Sequence, residues 1–258
     1  GQINQYTCAV AIGPSAGNTS QGSNAVAIGH TAGNSNQGSN AVAVGFGSGN
    51  SSQGPNSVAI AFNTGFINQG SNSVAVGYSA AQTSQGNFCV AVGNNAGISN
   101  QQNFAVAIGN KSGSNSQKQG AIAIGSSDNI NDAPGLNNQD EYAIAIGTSA
   151  GASDQGSESI AIGVLAGRIS QSGIAVAVGR EAGETSQKEG AIAVGFLAGN
   201  KDQSGNAVAI GYQAGRSNQG SNAVAVGYQA GYSNQRSNAV AIGPSAGSQD
   251  QSGNAVAI

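Results

Sequence analysis

The sequence predicts an all-β fold, a parallel β-solenoid of about sixteen 16-residue coils with two short strands per coil, and three observations carry that prediction. A quartet of Ala/Ser/Cys, Val/Ile, Ala and Ile/Val, nearly always closed by Gly, ends at Ile12, Ile28, Val44, Ile60, Val76, Val92, Ile108 and Ile124. It resumes at Ile146 and runs through Ile162, Val178, Val194, Ile210, Val226, Ile242 and Ile258, so that sixteen copies recur every sixteen residues except for one 22-residue step. Gly recurs at least twice per period, too often for an uninterrupted helix. A Gln stands at a fixed place in every period, from Gln5 to Gln251. A repeat this strict makes the fold a stack of equivalent units.

Within a period the quartet comes first. In Ala25-Val26-Ala27-Ile28 the β-branched residues at alternate positions share one face of a strand and the alanines share the other. Gly29 then supplies a corner, followed by two variable residues and a small pair such as Ala16-Gly17, Ala32-Gly33, Ala166-Gly167 or Ala214-Gly215. Small side chains let the second strand close on the first, and Gly permits positive φ. The Gln column follows, including Gln21, Gln37, Gln53, Gln219 and Gln235, each preceded by Asn, Ser or Asp. Stacked identical amides hydrogen-bond along the stack, and Asn, Asp or Ser before them favours a turn, so this column is expected to form an amide ladder at a corner. A period spans roughly 50 Å of extended chain at about 3.3 Å per residue, enough for two short strands and two turns, and each coil advances about 4.8 Å.

One continuous solenoid is expected, with repeats 1–8 in residues 1–125, an inserted loop at 126–142, and repeats 9–16 in residues 143–258. The loop holds Asp128, Asn129, Asn131, Asp132, Asp140 and Glu141, with Pro134-Gly135 as a turn signal. Its spacing lacks the pattern of a calcium-binding EF-hand, and a solvated loop is the expectation. The chain starts midway through a repeat and stops before a corner Gly, without the atypical units that usually close a solenoid, and is expected to be a segment of a longer chain.

Composition narrows the function. Residues 1–127 carry Lys111 and Lys118 and no acid, a net +2; the remainder carries eleven acids and six bases, a net −5. Neither half has the basic stripe that a phosphate backbone requires, so nucleic acid is not an expected partner. No apolar run reaches 18 residues, so this segment is not expected to insert in a membrane. The single histidine, His30, occupies the variable place after a corner Gly, with no nucleophile and orienting carboxylate in the neighbouring units. No catalytic residues, metal ligands or cofactor are expected, and the chain does not read as an enzyme. Cys8 and Cys89 lie five coils apart, roughly 24 Å at about 4.8 Å per coil, too far for a disulfide. Each is expected to be a small buried apolar residue.

Two surfaces remain. If Val and Ile fill the coil, then the Ala column, including Ala25, Ala27, Ala41, Ala43, Ala223 and Ala225, faces outward as a long charge-free strip that must be covered. The same logic holds with the faces exchanged. Self-association, most simply as a parallel homotrimer, is the expectation. The place after the corner Gly also carries Phe46, Phe62, Tyr78, Phe196, Tyr212 and Tyr228, columns suited to stacking on sugar rings or a partner protein.

The units N-A-V-A-I-G-Y-Q-A-G and N-S-V-A-V-G-Y-S-A resemble the head repeats of trimeric autotransporter adhesins (the YadA-type head), whose motif is N-S-V-A-I-G-x-x-A, and related repeats of trimeric phage and virus fibres. Asn24, Asn40, Asn72, Asn206, Asn222 and Asn238 match the leading Asn of that motif. The sixteen-residue period is longer than that head's, and the Gln in every unit is no part of its motif. The resemblance implies a left-handed β-roll, three chains side by side, and a cell-surface or virion-surface location. The expected function is an extracellular structural and adhesive fibre segment that displays a surface for a host protein or glycan. An ice-binding solenoid and an amyloid-like self-assembling filament are the alternatives, although an ice-binding face normally shows a Thr-x-Thr file and the file here is Ala-x-Ala.

Overall fold

The computed structural model describes residues 3–127 and 132–258. Every described regular element is a short β-strand, and no helix occurs among the described residues. The chain forms two compact units, Gly1–Ile130 and Asn131–Ile258. Each is a stack of the same coil.

In the first unit the quartet supplies eight strands, from Val10–Ile12 and Val26–Ile28 to Ile122–Ile124; in the second it supplies eight more, from Ile144–Ile146 to Val256–Ala257. Each strand pairs in parallel with the one sixteen residues on. Val26, Ala27 and Ile28 stand opposite Val42, Ala43 and Val44, and Val224, Ala225 and Val226 opposite Val240, Ala241 and Ile242. The parallel β-solenoid with two strands per coil is thus the observed architecture.

The second strand of the coil is irregular for a reason written in its middle residue. In Thr19–Gln21 and Ser35–Gln37 the outer residues pair, Thr19 with Ser35 and Gln21 with Gln37. The middle ones, Ser20 and Asn36, take φ of 54° and 56°. Asn and Asp tolerate this left-handed conformation better than most non-glycine residues, and Ser shares their short side chain able to bond nearby backbone. This is why one of them precedes each Gln. The leading Asn of the quartet is held the same way, with Asn24, Asn40 and Asn222 at φ 56–58°.

The coil closes so tightly that its interior admits a methyl group and little else. A Cβ added to Gly17 would lie 3.2 Å from the Ala11 Cβ, and one on Gly199 would lie 3.1 Å from the Ala193 Cβ. The core is accordingly made of two alanine columns: Ala27 and Ala43 of the quartet pack with Ala16 and Ala32 of the small pair. In the second unit the same columns run from Ala145 and Ala150 to Ala230 and Ala241. All of the largest fully buried side chains are glutamines.

This overturns the first assignment of faces. Ala25, Ala27, Ala41, Ala43, Ala223 and Ala225 are core residues, each 0 % exposed, and form no association surface. The physical reason is dimensional, because two three-residue strands leave no room between them for a branched side chain. Val and Ile point outward instead, with Ile28 37 %, Ile60 39 % and Ile210 41 % exposed.

The inserted segment is also shorter than 126–142. From Gly135 (φ 54°) onward the coil is regular, and Asn137–Gln139 pairs with Ser153–Gln155 in the usual register. Asp128, Asn129 and Asn131 lie outside the described residues. Asp132 is committed to an ion pair: Arg168 Nε stands 3.0 Å from its Oδ1, while Arg168 Nη1 lies 3.4 Å from Glu184 Oε1. The hydrogen bond that Arg168 donates to the Asp132 carboxylate raises the Arg168 pKa above its ordinary value.

The corner glycine shows what the coil demands and where it is denied. Gly29 has φ 129°, and a Cβ there would stand 2.6 Å from the carbonyl oxygen of Gly45. Ala61 occupies this corner at φ 119°, a region open essentially to Gly alone. Ile174, β-branched, sits at φ 51° where half of the coils place Asn. Ala61→Gly and Ile174→Asn are each expected to stabilise the fold by about 1 kcal/mol through released strain. Urea denaturation checks this; an unchanged or lower midpoint would refute the strain.

Candidate functional site

Three features carry the chemistry available to this chain: a buried amide ladder, stacked aromatic columns, and an outward apolar file.

The ladder is built from the glutamine of each second strand. Gln219 Nε2 donates to the Val208 carbonyl (2.8 Å) and the Ala223 carbonyl (3.3 Å), and onward to Gln235 Oε1 (3.1 Å). In the second unit such bonds run unbroken from Gln139 to Gln251, all in the same direction. Aligned amides polarise one another, so the chain of bonds gains cooperatively. In the first unit Gln37 reaches Gln53 at 3.1 Å and Gln85 reaches Gln101 at 3.0 Å. There the Oε1 atoms of Gln37, Gln69 and Gln85 accept no bond. The expected ladder is present, with Gln21, Gln37, Gln53, Gln219 and Gln235 all buried; the first four end a second strand, and Gln235 holds the same place in a coil that has only an isolated bridge at Ser233.

The glycine four residues before each Gln makes room for it. A Cβ on Gly17 would stand 2.4 Å from Gln21 Oε1, and one on Gly215 would stand 2.7 Å from Gln219 Oε1. Ala81 fills that place before Gln85, at φ 47°. There the bond from Gln85 Nε2 to the Val74 carbonyl stretches to 3.3 Å, against 2.8 Å from Gln69 to Val58. The sequence shows the Gly and the Gln as separate columns; their dependence on one another is visible only in the structure.

The aromatic residues assemble as their spacing suggests. His30, Phe46, Phe62 and Tyr78 form one stack, with centroids 5.0 Å, 5.1 Å and 5.2 Å apart and rings within 11° of parallel. Phe196, Tyr212 and Tyr228 form another at 5.3 Å and 5.1 Å, with the Arg180 guanidinium 5.7 Å from the Phe196 centroid. Face-to-face stacking occupies the ring faces within each column. The columns therefore present mainly ring edges, and the stacking on sugar rings expected from sequence is open only at the terminal faces. A further pair, Phe88 and Phe104, stacks at 5.2 Å in the place of the leading Asn. Sequence reading passed over it, although its sixteen-residue spacing was the available signal.

The outward file consists of the Val/Ile pairs, such as Val58 and Ile60 or Val208 and Ile210, with no charged residue at these positions in either unit. In the last coils an open polar groove of about 950 Å³ is lined by residues including Asn218, Asn234, Arg236, Asn238, Asp250 and Asn254. Two ladders of side-chain bonds run there, Asn218 to Asn234 to Asp250 and Asn222 to Asn238 to Asn254.

Among the described residues no group of three His, Cys, Asp or Glu is placed to hold a metal ion, and no helix is long and apolar enough to cross a membrane. Both cysteines are free, as the spacing requires. Cys89 is buried as expected, and its thiol donates to the Gln102 carbonyl at 2.9 Å. Cys8 is exposed, contrary to expectation, because it takes the left-handed place (φ 59°) that Asn holds in other coils.

Comparison with protein-family models and with curated protein sequences finds no match.

Two outcomes follow for the ladder. Gln203→Leu strips the acceptor from Gln187 Nε2 and the donor from Gln219 Oε1, and at about 1–3 kcal/mol per orphaned buried group it lowers the urea midpoint of the second unit. Ala81→Gly relieves Gln85 and raises the midpoint of the first unit; a neutral result in both would mean that the ladder adds no stability. The cysteines give a third. Burial pushes the Cys89 thiol up to about 11, so it stays protonated throughout the neutral range and loses its proton only near that value. At pH 8 a chromogenic disulfide reagent is expected to titrate one thiol, Cys8, in the native chain and a second only in denaturant. Rapid reaction of two native thiols would contradict this placement.

Proposed function

We propose that this chain is a segment of an extracellular structural and adhesive fibre whose solenoid repeats act as a rigid, self-associating scaffold that displays a binding surface. The observation that carries this reading is the outward Val/Ile file. In each eight-coil unit it is roughly 38 Å long at about 4.8 Å per coil and about 13 Å wide, close to 500 Å² of charge-free surface. The largest exposed apolar patch on a soluble monomer is about 300–600 Å² and is often functional, so two such files in one chain call for a cover.

Other copies of the same chain are the natural cover, because a surface corrugated once per coil is matched at every coil only by a surface of equal period. Three copies around a common axis give a closed arrangement that leaves no apolar face open. The likeness of N-A-V-A-I-G-Y-Q-A-G to the head repeats of trimeric autotransporter adhesins and trimeric virus fibres supports the same arrangement and a cell-surface or virion-surface setting. A host protein or glycan then has the polar flanks available, including the asparagine-lined groove around Arg236. An ice-binding role gains no support from the outward file, which is branched and apolar with no Thr-x-Thr. The aligned amide ladder gives the filament reading its one specific support, since a ladder can propagate across stacked copies.

Light scattering on the native chain tests the reading: a discrete mass near three chains is expected. In Ile60→Glu/Ile210→Glu the mass is expected to fall to one chain while the far-UV β signal persists, because both side chains point outward. A native monomer would refute the proposal, and growth without limit would favour the filament.

A further inference from the structure

The Val/Ile file has a weakness as an interface: it looks nearly the same after a shift of one coil. Sliding one copy by sixteen residues sets Val74 and Val76 where Val58 and Ile60 stood, a difference of one methylene in that coil. A repeating face therefore binds strongly and aligns poorly, the known hazard of uniform strands. Whatever fixes the alignment must break the repeat.

We propose that the aromatic columns His30–Phe46–Phe62–Tyr78 and Arg180–Phe196–Tyr212–Tyr228 are register keys, which set the coil-for-coil alignment of copies associated through their Val/Ile files. The inference rests on the self-association proposed above and adds what determines its register. Five observations support it.

The columns stand two residues beyond the outward file in their coils, His30 after Ile28 and Tyr212 after Ile210, so they border the surface to be covered. They are also local. The place is occupied by Pro14 and Asn94 on either side of the first column, and by Val164 and Pro244 around the second. A slip of one coil would set an end tyrosine against Asn94 or Pro244 and a basic end residue against an aromatic ring.

The rings are fixed before any partner arrives. Each is held at 5.0–5.3 Å from its neighbour, so little side-chain freedom is lost on contact. Yet Phe46, Tyr78 and Tyr228 remain about half exposed, at 48 %, 54 % and 53 %, with edges free for edge-to-face contact with another copy. Finally, the one formal charge in the columns is compensated within its own chain. Arg180 Nε lies 3.1 Å from Glu181 Oε1, which reduces the repulsion between copies that meet in register.

Cys8 supplies a native reporter, since it is exposed in the first unit while Cys89 is buried. A spin label on Cys8 of the full chain, read by pulsed dipolar spectroscopy, measures label-to-label distances within the assembly. The test variant carries Asn, the residue at positions 94 and 110, in place of Phe46, Phe62, Tyr78, Phe196, Tyr212 and Tyr228. These positions already tolerate Asn, Thr and Pro in other coils, and the far-UV β signal verifies folding.

The native chain is expected to give one narrow distance, and the variant an assembly of the same mass with distances spread over shifts of whole coils, about 4.8 Å each. A variant that keeps the single narrow distance would overturn the proposal, and so would a broad distribution in the native chain. A native chain that scatters light as a monomer would instead sink the self-association on which the proposal rests, a result distinct from either.

Discussion

The width of the coil governs this structure. Two three-residue strands, closed by corners at positive φ, leave an interior that fits a methyl group from each side. Valine and isoleucine, the residues that would ordinarily make the core, are therefore placed outside. The arrangement inverts the usual globular plan, in which the largest apolar side chains are the most buried. Alanine burial removes little apolar surface per residue, so the interior contributes less to stability than its regularity suggests. What it does permit is close approach, and close approach brings every strand into hydrogen-bonding register with the next coil.

The one long side chain inside the coil is polar, and the narrow interior explains that too. Glutamine lies along the slot left by a glycine four residues earlier and spends its amide on two backbone carbonyls and the next glutamine. A leucine could fill part of that volume and would satisfy none of these groups. A buried amide is costly when unpaired and stabilising when fully paired, so the column is held to a single residue type by mutual need. Where the glycine is replaced, at Ala81, the Gln85 amide lies 3.3 Å from the Val74 carbonyl while the backbone register is unchanged.

The period, the strand positions, the corner glycines and the glutamine column are all legible in the sequence, because each recurs at a fixed place and each has a local physical cause. The direction of the faces is not legible from alternation alone. A period of two states that Val26 and Ala27 point opposite ways; it does not state which way is in. The deciding quantity is the gap between the two strands, which depends on how the turns close and not on either residue. A weaker signal was nonetheless present: the inward places admit only Ala, Ser or Cys, whereas the outward places exchange Val and Ile freely, and tolerance marks the less confined side. The aromatic columns were legible as columns, but the loss of their faces to one another required ring geometry. The dependence of Gln85 on position 81 was hidden because the two residues belong to columns that each look self-sufficient.

A stack of equal coils gives stiffness without address, since any coil can stand in for its neighbour. Individuality enters through the places where the repeat is broken. The first unit, almost uncharged, varies through aromatic rings and serines; the second adds an ion-pair ladder in which Arg168 joins Asp132 and Glu184, and Asn200 Nδ2 reaches Glu184 Oε2 at 3.0 Å. These departures cluster at the places after the corner glycine and after the small pair, which lie outside the alanine columns of the core. Selection can therefore change them without disturbing the amide ladder or the alanine core. Recognition, whether of another copy or of a different molecule, has the same freedom and the same restriction: it can be written on the corners and the outward file, and the interior supplies only the spacing at which it is read.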